Sequence, residues 1–83
     1  MKQKRKLFAE LPLDLSEPEM TFISNREVTV EGSRGVLEYG DELIKVNTGS
    51  MTVAFFGRGL NLKCISDSSL VIGGTITNVE FRV

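Results

Sequence analysis

From Thr29 to Val83 apolar and polar residues alternate in short runs, and Gly, Asn, Asp or Ser interrupts them about every eight to ten residues. A period of two puts successive side chains on opposite faces of a strand, so this pattern predicts β-structure throughout. The first strand is expected over 20–24, with Met20 and Phe22 on one face and Ile23 on the other. Asn25-Arg26 turns the chain into a second strand over 27–31, where Val28 and Val30 point inward and Glu27, Thr29 and Glu31 outward. Gly32-Ser33 reads as a two-residue hairpin loop. A third strand follows over 34–39, with Leu37 and Tyr39 on one face. After Gly40-Asp41 comes a fourth over 42–48, with Ile44 and Val46 against Lys45 and Asn47.

Beyond Thr48-Gly49-Ser50 a fifth strand is predicted over 51–56. Its two faces, Met51-Val53-Phe55 and Thr52-Ala54-Phe56, are both partly apolar, which implies cover on both sides. Gly57-Arg58-Gly59 signals a positive φ or a bulge, read as a bulged hairpin. The sixth strand, 60–65, sets Leu60, Leu62 and Cys64 against Asn61 and Lys63. Ser66, Asp67 and Ser68 form a polar turn before a seventh strand, 69–72, with Leu70 and Ile72 on one face. Gly73-Gly74 signals another hairpin and an eighth strand over 75–83. There Val79, Phe81 and Val83 share a face while Ile76 is out of phase, which calls for a bulge near Asn78 or a sheet covered on both sides.

The chain before this domain has a different character. Leu7, Leu11 and Leu15 recur at a helical spacing beside Phe8, but Pro12 limits any helix to about one turn. Ser16-Glu17-Pro18 closes the segment. The expected organisation is a basic tail with a short helical or extended piece over 1–18 and one β domain over 19–83. The fold class is all-β: an antiparallel meander of about seven to eight short strands with a short N-terminal helical turn. Strands joined by such short loops pair mostly with their chain neighbours. A flat sheet wet on both faces is not stable alone, so the meander must curl into a small barrel or sandwich, form a short solenoid-like sheet, or stack on another chain. No repeat of 20–50 residues stands out along the sequence.

With 83 residues the chain is one domain, which buries only ~60% of its unfolded surface and has strand edges to hide. The net charge is −1, yet Lys2, Lys4, Arg5 and Lys6 give residues 1–6 a charge of +4 and leave −5 for the rest. That acidic body, without aromatics interleaved among basic residues, argues against nucleic acid as a partner. The basic tail is either a solubilising terminus or a contact for an anionic membrane surface, with Lys2, Lys4, Arg5, Lys6 and Phe8 as the touching residues. Cys64 is the lone cysteine, which excludes an internal disulfide, and its strand pattern reads as a small core residue. No apolar run reaches transmembrane length or forms a signal peptide, so a cytoplasmic location is expected.

Candidate chemistry is sparse. The chain has no histidine, and a Ser or Cys nucleophile would lack the usual base. Asp41, Glu42 and Asp67 are isolated turn acids rather than a ligand set, so no metal site is expected. Gly57-Arg58-Gly59 lacks the Lys-Ser/Thr pair of a phosphate loop and no helix follows it. The chain is therefore read as a non-enzyme, with no catalytic, cofactor-binding or metal residues.

Several runs together carry a resemblance. Asn25-Arg26-Glu27, Val30-Glu31-Gly32 and Gly35-Val36-Leu37-Glu38-Tyr39 are followed by Ile44-Lys45-Val46-Asn47-Thr48 and Gly59-Leu60-Asn61-Leu62. The series ends in Ile72-Gly73-Gly74-Thr75-Ile76-Thr77-Asn78-Val79-Glu80-Phe81. In order and spacing this resembles the YabP/YqfC sporulation family of spore-forming Firmicutes, and the basic start with Leu11-Pro12 is similar to its YqfC-like branch. Phe55-Phe56-Gly57-Arg58-Gly59 departs from the family's shorter Ile-x-Gly and suggests an altered contact face. The resemblance implies a small protein of the mother cell, needed for spore assembly and without catalytic activity. The expected partners are further copies of the chain or a membrane-associated sporulation protein, and the expected place is the mother-cell cytoplasm or the periphery of the forespore membrane. Alternation forces Phe55 and Phe56 onto opposite faces, so the contact residues are taken to be Phe56 and Arg58 with Val79, Phe81 and Val83 of the last strand.

Overall fold

The computed structural model describes residues 17–83. The tail residues Lys2, Lys4, Arg5, Lys6 and Phe8 and the expected helical turn lie outside them. Six strands follow one another: β1 (Glu19–Ile23), β2 (Glu27–Glu31), β3 (Gly35–Tyr39), β4 (Leu43–Asn47), β5 (Thr52–Ile65) and β6 (Ser69–Arg82). All pairings are antiparallel, in a single sheet ordered β1-β2-β6-β5-β4-β3 that does not close into a barrel.

The all-β expectation holds, with two corrections to its topology. Neither glycine cluster reverses the chain: the fifth and sixth predicted strands are one strand, β5, and the seventh and eighth are one strand, β6. Nor is the sheet a pure meander, because β2 pairs with β6 and Gly32-Ser33 opens a crossing to the far edge instead of a hairpin. The amides of Gly32 and Ser33 both donate to the Ser68 carbonyl, which ties this crossing to the β5–β6 turn.

The two long strands explain how an uncovered sheet makes a core. β4 pairs with the first half of β5, from Leu43 opposite Phe56 to Asn47 opposite Thr52. β2 pairs with the first half of β6, from Glu27 opposite Gly73 to Glu31 opposite Ser69. Because β5 and β6 run antiparallel, the two outer hairpins lie at opposite ends of the pair. Between them the β5–β6 register slips twice, between Phe56 and Gly57 and between Arg58 and Asn61. Bulges bend strands and increase their twist, and here they fold the sheet over itself. Val28, Val30, Leu70 and Ile72 from one half join Ile44, Val46, Val53 and Phe55 from the other in one buried cluster with Leu60 and Ile76. The Phe22 ring of β1 lies 6.4 Å from that of Phe55, in a tilted arrangement. The halves thus face each other like the layers of a small sandwich, and each side chain withdrawn from water contributes about 1.5–3 kcal/mol.

A two-fold likeness runs through this arrangement although no repeat is visible in the sequence. The Gly74 amide donates to the Arg26 carbonyl and the Ile76 amide to that of Asn25. On the other half the Gly57 amide donates to Glu42 and the Leu60 amide to Asp41. Each hairpin turn therefore clamps the bend of one long strand, followed by one buried aliphatic residue, Ile76 or Leu60. At the centre, a side chain on Gly57 would run into the Thr75 carbonyl, and one on Gly74 (φ +121°) would lie 2.6 Å from the Gly59 oxygen. The strands cross too closely there for any residue but glycine.

Candidate functional site

Among the described residues, each half of the folded sheet has two free edges. One half is bounded by β1 and by residues 61–65 of β5, the other by β3 and by residues 78–82 of β6. Among the described residues, the exposed large apolar side chains are Phe22, Ile23, Leu37, Tyr39, Ile65, Phe81 and Val83. Every one lies on an edge strand, or in the case of Val83 directly after one, and none on β2, β4 or the paired halves of β5 and β6.

Of the predicted contact residues, Val79, Phe81 and Val83 belong to one free edge. Register sets Phe81 opposite Val53 and Val79 opposite Phe55, so both project toward the core side of the sheet. Val79 packs against the buried cluster, whereas Phe81 remains 55% exposed because no further strand among the described residues covers it. Phe55 is fully buried, and Phe56 is half-buried on the outer face between Leu43 and Asn78. Phe56, Asn78, Val79 and Glu80 line a shallow surface hollow beside the edge. Arg58 is exposed at the bend, opposite Thr75, and is not brought to this edge. It lies five residues along β5 from Val53, the partner of Phe81, or roughly 17 Å.

Cys64 corrects an expectation: it is exposed rather than buried. The register slips between Leu62 and Cys64, so Lys63 is an extra residue and the alternation begun at Leu60 is lost. The slip anticipated near Asn78 is present, with Thr77 as the extra residue between Ile76 and Asn78.

Sequence reasoning missed Phe22, Ile23, Leu37, Tyr39 and Ile65 as surface residues, because their exposure follows from which strands end up at an edge. Leu37 is also displaced by a slip between Val36 and Glu38. The charges near the edges are exposed or half-exposed pairs: Lys45–Glu38 at 3.4 Å, Lys63–Glu27 at 2.9 Å and Arg82–Glu80 at 3.0 Å. Pairs of this kind are worth about 0–1 kcal/mol, so they orient rather than hold. Among the described residues no group of three or more His, Cys, Asp or Glu is placed to hold a metal ion. Among the same residues no helix is long and apolar enough to cross a membrane.

The family model of the YabP family matches residues 15–83, which includes every strand of the sheet. The chain belongs to the YabP family. No curated protein and no solved structure gives a match. Membership of the YabP family points to a sporulation-related protein. The match includes both glycine bends and the whole of the β6 edge, so the edge strands are part of the YabP-family domain itself.

Proposed function

We propose that this chain is a non-enzymatic structural module of spore assembly. It self-associates, or docks on a membrane-bound sporulation partner, through the apolar edges of its sheet. One observation supports the reading: among the described residues, every exposed large apolar side chain lies on an edge strand or, for Val83, directly after one. An open edge offers unpaired main-chain groups, and apolar side chains beside it make pairing with another chain favourable. A small domain with four such edges is better suited to assembly than to holding a substrate in a cleft. On this reading the protein acts in the mother-cell cytoplasm or at the periphery of the forespore membrane, and needs no cofactor.

The test is the mass of the purified chain by light scattering over a range of concentrations, together with the yield of heat-resistant spores from strains carrying edge variants. Assemblies of two or more chains, and a spore defect in Phe81→Ser, Leu37→Ser or Ile65→Ser with circular dichroism unchanged, are the expected results. A strictly monomeric chain whose folded edge variants all sporulate normally refutes the proposal.

A second reading rests on the charge of +4 over residues 1–6. Here Lys2, Lys4, Arg5, Lys6 and Phe8 hold the domain against an anionic bilayer, each basic residue contributing about 1 kcal/mol near the surface. Sedimentation with phosphatidylserine-containing vesicles, with and without residues 1–8, tests it. Equal binding by both forms rules out the tail as the contact.

A further inference from the structure

The four edges are not equally fit for pairing. β3 carries the slip at Leu37, and residues 61–65 of β5 carry the extra Lys63; bulges and edge lysines both discourage pairing. β1 is regular, but an antiparallel copy centred on Thr21 would set Glu19 against Ile23, with no charge matched. Past the Thr77 bulge β6 is regular from Asn78 to Arg82.

The main chain of that stretch is set up for a partner. The Gly57 amide donates to the carbonyl of Glu42, just before β4, and the Met51 carbonyl accepts from the amide of Thr48, just after β4, on the same side. Backbone groups alternate along a strand, so those of Val53 and Phe55 also face β4 while those of Thr52, Ala54 and Phe56 face β6. Their register partners Arg82, Glu80 and Asn78 are thereby engaged with β5. The N–H and C=O groups of Val79, Phe81 and Val83 point away from the sheet, along the free edge.

From this we infer that two copies of the chain join through β6, antiparallel about a two-fold axis at Phe81. This rests on the self-association reading above and gives it a register. In it Phe81 faces Phe81 and Val79 faces Val83, each pair exchanging main-chain hydrogen bonds. On the outer face Glu80 of each copy meets Arg82 of the other. Centring on Glu80 instead would set Glu80 against Glu80, and centring on Arg82 would set Arg82 against Arg82; like charges directly opposite are unfavourable. Within one copy Glu80 and Arg82 already lie 3.0 Å apart on the same face. Pairing therefore adds two crossed ion pairs and closes a ring of four charges over the join. The half-exposed Phe81 rings cover each other, and the halves containing β3, β4, β5 and β6 become one continuous eight-stranded surface.

Charge exchange tests the register. Glu80 and Arg82 side chains are 50% and 57% exposed, so their substitution leaves the fold intact, which circular dichroism confirms. Glu80→Lys and Arg82→Glu should each weaken dimerisation about tenfold or more, since two attractive pairs become repulsive at once. An equimolar mixture of the two variants should dimerise again, because each copy then matches the other. Independently, Phe81→Cys in a Cys64→Ser background should give a covalent dimer under mild oxidation. The facing Cα atoms would lie about 5.5 Å apart, inside the disulfide range. Ile23→Cys in the same background should not. If the wild-type chain assembles but the charge variants and Phe81→Cys behave as controls, this pairing is wrong and self-association stands. If the wild-type chain is monomeric at every concentration, both fall.

Discussion

A single methyl group at position 57 tests whether β5 crosses β6 as described. Gly57 does not have a positive φ. At such a position Gly→Ala ordinarily stabilises a protein by about 0.4–1 kcal/mol, because the unfolded chain loses freedom. If Gly57-Arg58-Gly59 were an exposed hairpin turn, Gly57→Ala would be mild or beneficial. In the folded sheet the new Cβ would collide with the Thr75 carbonyl oxygen, with the Thr75 carbon at 2.9 Å and Ile76 Cα at 3.1 Å. These are backbone atoms that cannot swing aside, so β5 and β6 must separate at their crossing. The separation strains a packed core, at about 1–3 kcal/mol. It also threatens the 3.1 Å bond from the Gly57 amide to Glu42, worth about 1 kcal/mol. The expected loss is ~2–4 kcal/mol from a total of ~4–12 kcal/mol for a domain of this length. With a urea dependence of about 1 kcal/mol per molar, the midpoint of unfolding by circular dichroism should fall by ~2 M or more. Gly59→Asn is the control: Gly59 has φ +62°, which Asn tolerates, and a Cβ there meets nothing within 4 Å. A Gly57→Ala midpoint equal to or above wild type would refute the crossing.

Other substitutions probe the remaining assignments. Phe55→Ala should cost about 3–5 kcal/mol in urea unfolding, since Phe55 is fully buried, whereas Phe56→Asp on the outer face should leave a cooperative transition. The reverse order would invert the two faces of β5. Cys64→Ser should shift stability by no more than about 0.5 kcal/mol, and the native thiol should react fully with a thiol reagent without denaturant; slow or partial reaction would restore the core reading. Removing the exposed Lys63–Glu27 pair by Lys63→Ala should cost at most about 1 kcal/mol.

What could be read from the sequence was local. Val28 and Val30 flank Thr29, Ile44 and Val46 flank Lys45, and Leu70 and Ile72 share a face two residues apart; all six are buried as that spacing requires. The turns at Asn25-Arg26, Gly40-Asp41, Thr48-Gly49-Ser50 and Ser66 to Ser68 fall between strands as expected. The glycine clusters were misread for a physical reason. A glycine at positive φ serves a tight turn and a bent strand equally well, and only the distant strand docking beside it decides which forms. β2 opposite residues 69–73 and β4 opposite residues 52–56 make that decision here. Cys64 failed in the same way, since one extra residue at Lys63 transfers the rest of the strand to the other face. Of the candidate edge, Val79, Phe81 and Val83 were legible as one face. That their backbone groups point outward follows only from the register against β5.

The likeness between the two halves connects the fold to assembly. Two hairpins each dock on one half of a long strand pair, and the glycine crossing lets the halves close on a shared core. Among the described residues that construction buries the inner faces without a helix, but it doubles the number of free edges from two to four. A flat six-stranded sheet would end only at β1 and β3; the folded one also ends at residues 61–65 and 78–82. Bulges in β3 and β5 blunt two of the four, and Glu19 leaves β1 without a matched charge against a copy of itself. The edge of β6 retains regular spacing, an exposed aromatic and charges of both signs two residues apart. If edges were merely a by-product of folding over, nothing would require this one to differ from the others. Its difference is the physical reason to look for a second copy there first.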